Sequence, residues 1–156
     1  MSLIRDYFDK TIEYKNIYGE NTIVFMQVGA FYEVYGLREK STGEIKGSNI
    51  VEFSSVCDLN IADKKICVDA DGVIMAGFSH YMLDKYVKRM QEVGYTIAVF
   101  TQDEQMKNTT RSLSGIYSPG TYLSQETTTN ISNNTVCVWL YVNEYTLDGK
   151  VARNGE

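Results

Sequence analysis

The sequence predicts an α/β domain. Segments with apolar residues at helical spacing alternate with short runs rich in β-branched and aromatic residues, and glycines mark several of the boundaries. Helices alternating with strands favour the α/β class. The chain has 156 residues, of which 44% are hydrophobic and 22% charged, which is enough for one ordinary core.

The first part of the chain predicts a helix, a strand and a hairpin. Ser2–Tyr18 carries apolar residues at helical spacing, and Gly19 can end that helix. Thr22–Val28 is short and rich in β-branched residues, as in a buried strand. Val34–Ile45 contains the turn signal Ser-Thr-Gly at 41–43, which indicates a hairpin or an irregular excursion.

The middle of the chain predicts a second helix and two short apolar segments. Asn49–Asn60 has apolar residues on one face, and Asn49 with Glu52 matches a capping box. Ile66–Val68 and Val73–Ala76 lie on either side of an Asp-x-Asp-Gly sequence. That sequence lacks the remaining ligands of a calcium loop, so we expect a plain turn.

A third helix and two further strands follow. Ser79–Val93 has one apolar and one charged face, and Ser79 can cap it. Tyr95–Thr101 predicts a strand, Asp103–Thr110 a polar loop and Arg111–Tyr117 another strand.

The last part of the chain changes in character. Residues 124–134 are polar and predict a linker, whereas Val136–Val142 predicts a new buried strand. We therefore expect a domain over residues 1–123, a linker over 124–135 and the start of a truncated second domain over 136–156. On this interpretation the sequence is part of a longer protein.

Composition restricts the function classes. The net charge of −5 argues against a free-standing nucleic-acid binder. No apolar run approaches the roughly 20 residues of a membrane span, and the N-terminus lacks a signal peptide. The default is a cytoplasmic or nuclear compartment, with an organelle or a virus left open. The three cysteines form no CxxC pair and there is one histidine, so we expect buried reduced thiols and no metal site.

The sequence Gly29-Ala30-Phe31-Tyr32-Glu33 follows the first predicted strand. In one interpretation its aromatic residues are ordinary core residues and Glu33 is a solvated charge. In the other, Phe31 is a wedge that inserts between base steps, because a rigid aromatic ring can stack on an unstacked base. Glu33 lies two residues on, so in an extended segment it shares a side with Phe31 and can contact the same base.

These residues resemble the N-terminal mismatch-recognition domain of the MutS family of DNA mismatch-repair proteins. The family's Gly-x-Phe-Tyr-Glu motif is matched by Gly29, Phe31, Tyr32 and Glu33. Four further stretches resemble the family in the same order over roughly residues 5 to 123: Asp58–Lys64, Met75–Phe78, Ile97–Gln102 and Ser118–Thr121. The chain departs from the family at Ala30, usually aspartate there, and at Ser79-His80-Tyr81, usually Pro-Tyr-His.

The resemblance implies a mixed β-sheet flanked by about three helices. It implies that Phe31 stacks on a mispaired base from the minor groove and that Glu33 hydrogen-bonds to that base. Lys64 aligns with a basic residue near the DNA backbone, and Arg111 with one in the loop before the last strand. Gly29 and Gly77 would support the backbone.

The resemblance also implies the setting of the domain. The partners would be mismatched double-stranded DNA, the remaining MutS domains and a second subunit of a clamp-like protein. That parent would use ATP and Mg, whereas this chain has no Walker-type glycine-rich loop and would need no cofactor. Residues from Val136 on resemble the first strand of the connector domain that follows.

Two other classes of function stay open. An enzyme would need an oriented catalytic or metal-binding group, and Asp69, Asp71 and His80 offer the only local combination of acids and histidine. A protein-interaction module that has lost mismatch specificity is the stronger alternative, because the acidic balance and the twelve tyrosines suit an interface. Phe31 would then contact a protein partner.

Overall fold

The structure is a computed structural model that describes residues 3–103, 110–119, 137–140, 143–147 and 150–154. In this part of the chain the helices are α1 (Leu3–Tyr18), α2 (Ile50–Cys57) and α3 (Leu83–Glu92), and a 3-10 turn at His80–Met82 precedes α3. The strands are β1 (Thr22–Val28), β2 (Phe31–Arg38), β3 (Ile45–Lys46), β4 (Ala62–Val68), β5 (Asp71–Ser79), β6 (Thr96–Gln102), β7 (Arg111–Tyr117), β8 (Asn143–Leu147) and β9 (Lys150–Asn154).

The first seven strands form one sheet, with β4-β5-β2-β1-β6-β7 in order and β3 added to β2. Strand β1 pairs antiparallel with β2 but parallel with β6, so the sheet is mixed. The predicted α/β class, mixed sheet and three flanking helices are thus confirmed. Strands β8 and β9 form a separate antiparallel pair.

Helix α1 covers one face of this sheet. Tyr7 packs edge-on against Tyr35 of β2, with ring centroids 5.0 Å apart. One end of the helix lies over β6, where Tyr14 contacts Phe100 at 5.5 Å. The helix ends as expected at Gly19, which has φ +93° and donates its N–H to the Lys15 carbonyl.

Helices α2 and α3 cover the other face. Phe53 of α2 packs against Phe25 of β1 at 5.3 Å, and Tyr86 of α3 packs against Phe78 of β5 at 4.4 Å. The apolar stripe predicted for α3 is buried at Tyr86, Val87 and Met90. None of the helices in the described ranges is long and apolar enough to cross a membrane.

Two predictions about side-chain capping at helix starts were wrong. Helix α2 begins at Ile50, but Asn49 makes no capping bond with its side chain. That side chain instead accepts from Lys15 Nζ at 2.8 Å and donates to the Glu20 carbonyl at 2.8 Å, which ties α2 to the segment after α1. Ser79 precedes the 3-10 turn but its side chain makes no capping hydrogen bond, and α3 itself begins four residues later, at Leu83.

The cysteines and the C-terminal segment also differ from expectation. Cys57 is buried as expected, but Cys67 and Cys137 are exposed. Residues 137–140 of the predicted strand Val136–Val142 are not in a strand, and Val138, Trp139 and Leu140 are exposed. The predicted linker over 124–135 lies outside the described residues, and the division into domains stays a prediction.

Candidate nucleic-acid interface

The predicted wedge residue begins β2, immediately after a tight connection from β1. Val28 pairs with Phe31, so Gly29 and Ala30 alone join the two strands. Gly29 has φ +58°, whereas Ala30 is not in the positive region. A hairpin turn with φ > 0 only at its first central residue is type II′ and takes glycine there. The local sequence thus explains why the chain reverses immediately before Phe31.

This turn, Val28–Phe31, is braced from both sides and is called the wedge hairpin below. The N–H of Gly29 donates to Gln102 Oε1 at 3.1 Å, and Gln27 Nε2 donates to the Gly29 carbonyl at 3.2 Å. On the other side, the N–H of His80 donates to the Ala30 carbonyl at 2.9 Å. Side chains and backbone from the ends of β1, β5 and β6 therefore fix the turn.

Phe31, the first residue of β2, is 52% exposed. Its neighbour in the chain, Tyr32, points to the other face and is buried against Phe78, with ring centroids 5.8 Å apart. The two aromatic residues of the motif thus differ: Tyr32 is a core residue, and Phe31 presents a large apolar ring to solvent from a braced turn.

Glu33 is on the same side of β2 as Phe31 but is only 8% exposed. Lys64 Nζ of β4 donates to Glu33 Oε2 at 2.6 Å, and the Tyr35 hydroxyl donates to the same oxygen. Lys64 Nζ also lies 3.4 Å from the Tyr35 hydroxyl oxygen and 4.9 Å from the centre of the Tyr35 ring. Glu33, Tyr35 and Lys64 are called the Glu33 network below.

The Tyr35 hydroxyl is held as a proton donor in this network. Burial raises the pKa of Tyr35 above its ordinary value, and the hydrogen bond to Glu33 and the charge of Glu33 raise it further. The positive charge of Arg111 acts in the opposite direction. Because the phenol keeps its proton, it donates to the carboxylate over the whole neutral range.

Gly77 lies directly opposite Glu33 on β5. A Cβ at position 77 would lie 2.8 Å from the Tyr32 carbonyl oxygen and 3.4 Å from Glu33 Cγ. The absence of a side chain there lets β2 and β5 pair while the Glu33 side chain stays close to the sheet. Gly77 is therefore required by a close approach, not by an unusual φ.

The two basic residues that were predicted to bind nucleic acid lie on the outer strands of the sheet, Lys64 on β4 and Arg111 on β7. Lys64 belongs to the Glu33 network, while Arg111 begins β7 and donates from Nε to the Gln27 carbonyl at 2.6 Å. The structure thus brings Glu33 and Lys64 into contact and places Phe31 apart from them at the hairpin. Contact of Phe31, Glu33, Lys64 or Arg111 with DNA stays a prediction.

Sequence reasoning selected the supporting glycines Gly29 and Gly77 but missed the side chains that support the candidate site. Tyr35 could have been found, because it follows Glu33 by two positions on the same strand face. Gln27, Gln102 and His80 gave no such signal, since they meet only when β1, β5 and β6 are aligned. In the described ranges, no group of three or more His, Cys, Asp or Glu residues could hold a metal ion.

A family model described as MutS domain I matches residues 10–126 of this chain. The chain belongs to the MutS family. A DNA mismatch repair mutS homolog of Acanthamoeba polyphaga mimivirus is 34% identical over 121 residues, 76% of this chain and 10% of the homolog. The DNA mismatch repair protein MutS of Lactobacillus delbrueckii subsp. bulgaricus is 31% identical over 109 residues, 67% of this chain and 11% of that protein.

The similarity to MutS proteins extends beyond the matched domain. MutS of Pseudothermotoga lettingae is 26% identical over 158 aligned residues, which cover 99% of this chain and 17% of that protein. The chain therefore spans 10–17% of the length of these three relatives. Family membership is shown for the domain, and the wedge hairpin and the Glu33 network both lie within the matched region.

Proposed function

We propose that this chain is the mismatch-reading unit of a larger MutS-family protein. Phe31 enters the minor groove and stacks on a mispaired base, and Glu33 hydrogen-bonds to that base. The observation that carries the proposal is the presentation of Phe31, which is 52% exposed on a hairpin braced by Gln102 and His80. A core residue would be buried, and a ring on a loose loop would have to be ordered on binding.

A rigid ring suits the energetics of mismatch detection. Inserting a wedge between base steps costs about a few kcal/mol in unstacking, which the contacts of a kinked duplex offset. Displacing a mispaired base costs less than displacing a paired one, so the wedge enters most readily at a mismatch. Bracing of the wedge hairpin lowers the ordering cost of binding, which leaves more of the contact energy for discrimination.

The remaining functions belong to the parent protein in this proposal. The chain has a net charge of −5, so other domains and a second subunit supply most of the phosphate contacts of a clamp. The parent is an ATPase whose ATP and Mg bind outside this chain. We therefore expect the 156-residue chain alone to bind DNA weakly at physiological salt.

The proposal is tested by DNA binding of the full-length protein at one fixed salt concentration. Affinity for a duplex with one mismatch is divided by affinity for the perfect duplex, which defines the discrimination ratio. Phe31→Ala should lower this ratio about tenfold or more, because stacking on one base contributes about 1–3 kcal/mol. Phe31→Leu should lower it less, because it keeps an apolar wedge but loses the aromatic face.

Tyr18→Ala is the matched control. Tyr18 is also a substantially exposed aromatic residue, at 46%, but it ends α1 near the start of β1 and so lies at the other end of that strand. Its loss should leave the discrimination ratio unchanged. If wild type and Phe31→Ala bind both duplexes equally, the proposal is wrong, and Phe31 is better explained as the anchor of a protein-interaction module.

A further inference from the structure

We propose that Lys64 and Tyr35 are positioning residues that hold Glu33 for its contact with a base, and that Lys64 acts through Glu33 and not on a phosphate. This inference rests on the proposed function. It changes the role that the family resemblance implies for Lys64, from a contributor to general DNA affinity to a determinant of discrimination.

The Lys64 ammonium group is already engaged in contacts within the domain. Its Nζ lies 2.6 Å from Glu33 Oε2 and 3.4 Å from the Tyr35 hydroxyl oxygen, and the Lys64 side chain is only 28% exposed. A lysine that reaches a phosphate would have to leave this position. Glu33 is 8% exposed, and a carboxylate at that depth is strongly destabilised without a partner.

The backbone of β4 is irregular where Lys64 lies. Its pairing with β5 is regular at Asp63, opposite Ile74, and again at Cys67, opposite Gly72, but the register shifts between them. Irregularities of this kind redirect side chains next to functional sites. Lys64 is the first residue after the regular pair, and its side chain reaches across β5 to the middle of β2.

The two carboxylate oxygens of Glu33 differ in their hydrogen bonds. Oε2 accepts from both Lys64 and the Tyr35 hydroxyl, whereas in the described part of the chain no hydrogen bond reaches Oε1. Two donors on one oxygen fix the plane and the direction of the carboxylate. The other oxygen is then available to accept from a base in one orientation, which lowers the conformational entropy lost when the contact forms.

The experiment separates discrimination from general affinity in the full-length protein. The discrimination ratio and the slope of log affinity against log salt are measured for wild type, Lys64→Met, Lys64→Arg, Tyr35→Phe and Lys65→Met. Lys65→Met is the matched charge control, because Lys65 is the next residue of β4, is exposed and is not a hydrogen-bond partner of Glu33. Thermal unfolding shows which variants are folded.

Lys64→Met should lower the discrimination ratio about tenfold, because a hydrogen bond to a charged group contributes about 1.5–3 kcal/mol. Its salt slope on the perfect duplex should equal that of Lys65→Met. Lys64→Arg should recover part of the ratio, since a guanidinium group can donate to Glu33. Tyr35→Phe keeps the ring that packs on Tyr7 but removes a hydrogen bond to the same carboxylate, so it should also lower the ratio about tenfold.

The inference is wrong if Lys64→Met keeps the wild-type ratio and its slope is smaller than that of Lys65→Met by about 0.9, the signature of one phosphate contact. It is also wrong if folded Lys64→Met and Tyr35→Phe both keep the wild-type ratio. Phe31→Ala in the same assay separates the two proposals. If Phe31→Ala loses discrimination and these variants do not, the wedge function holds and only the positioning role fails.

Discussion

The first residue of β2 and the residues that follow it on the same face differ in their exposure to water. Phe31, at the first position of the strand, is 52% exposed, whereas Glu33 is 8% exposed and Tyr35 is fully buried. An exposed apolar ring keeps about half of its contact with water when the chain folds, so folding adds no desolvation cost that must be compensated. The fold needs only to fix the backbone that carries the ring. A carboxylate at the depth of Glu33 must be compensated, so the chain surrounds it with donors.

The position of Phe31 and the charge of Glu33 are controlled by different parts of the fold. The wedge hairpin is fixed by turn geometry and by bonds to its backbone from Gln27, Gln102 and His80. The Glu33 network is fixed by side chains from two strands and by the space above Gly77. Changes in packing should therefore disturb Glu33 first, and changes in turn geometry should disturb Phe31 first.

The largest expected effect is at Gly77. Gly77→Ala places a Cβ 2.8 Å from a backbone oxygen, at Tyr32, and backbone cannot move away as a side chain could. We expect a loss of about 3 kcal/mol in the free energy of unfolding, at the upper end of ordinary overpacking. Urea denaturation of the variant chain measures it, and the discrimination ratio should fall as well because Glu33 Cγ must shift.

Gly72→Ala is the control for that prediction. Gly72 lies on the same strand, but a Cβ there would meet only the Arg38 carbonyl oxygen at an ordinary 3.8 Å. This substitution should change the free energy of unfolding by less than about 1 kcal/mol, or increase it, because alanine restricts the unfolded chain. Equal losses at both positions would mean that close approach is not the reason for glycine at 77.

The second expected effect is a loss of unfolding free energy at alkaline pH, caused by Tyr7, which packs on Tyr35. Burial raises the pKa of Tyr7 to about 12, whereas an unfolded tyrosine titrates near 10. The folded state keeps a proton that the unfolded state releases, so this contribution is complete below pH 10 and is lost as pH rises towards 12. The loss at pH 12 is about 2 kcal/mol.

Tyr7→Phe tests the cause of this dependence. The variant cannot ionise at that position, so its free energy of unfolding should fall about 2 kcal/mol less than that of wild type between pH 10 and pH 12. Burial dominates the pKa of Tyr7, but hydrogen-bonding groups of Thr11, Tyr35 and Ser48 act in the opposite direction. The variant should therefore lose at most about 1 kcal/mol of unfolding free energy at neutral pH.

The sequence predicted most of the fold because most of its elements carry their own signal. β1 and β7 have the predicted bounds, and all of the described residues of the first predicted helix lie in α1, Leu3–Tyr18. The prediction of a capping bond by Asn49 was wrong because capping depends on competing partners. Asn49 has donors and acceptors from α1 and the following segment within reach, and those contacts replace the cap.

The site was predictable only in part for the same reason. Phe31 and Glu33 could be selected from their spacing after a glycine, since alternation along a strand is a local property. The partners of Glu33 depend on the position of β4 two strands away, and its register shift before Cys67 has no clear sequence signal. Contacts across strands therefore needed the structure.

The smallest expected effect sharpens the comparison most directly. Gly29 and Gly43 both have positive φ, +58° and +75°, and a Cβ at either position would meet no atom within 4 Å. Alanine should thus cost about 1 kcal/mol of unfolding free energy at each, because only backbone strain changes. The two turns differ in what they carry: Gly29 precedes the wedge, and Gly43 lies in the turn between β2 and β3.

We therefore expect Gly29→Ala and Gly43→Ala to have similar urea midpoints but different DNA binding. Only Gly29→Ala should lower the discrimination ratio of the full-length protein, by about threefold to tenfold, because relief of strain at φ +58° moves the first residues of β2 and with them Phe31. If Gly43→Ala lowers the ratio equally, discrimination follows global stability, and the braced geometry of the wedge hairpin is not what positions the ring.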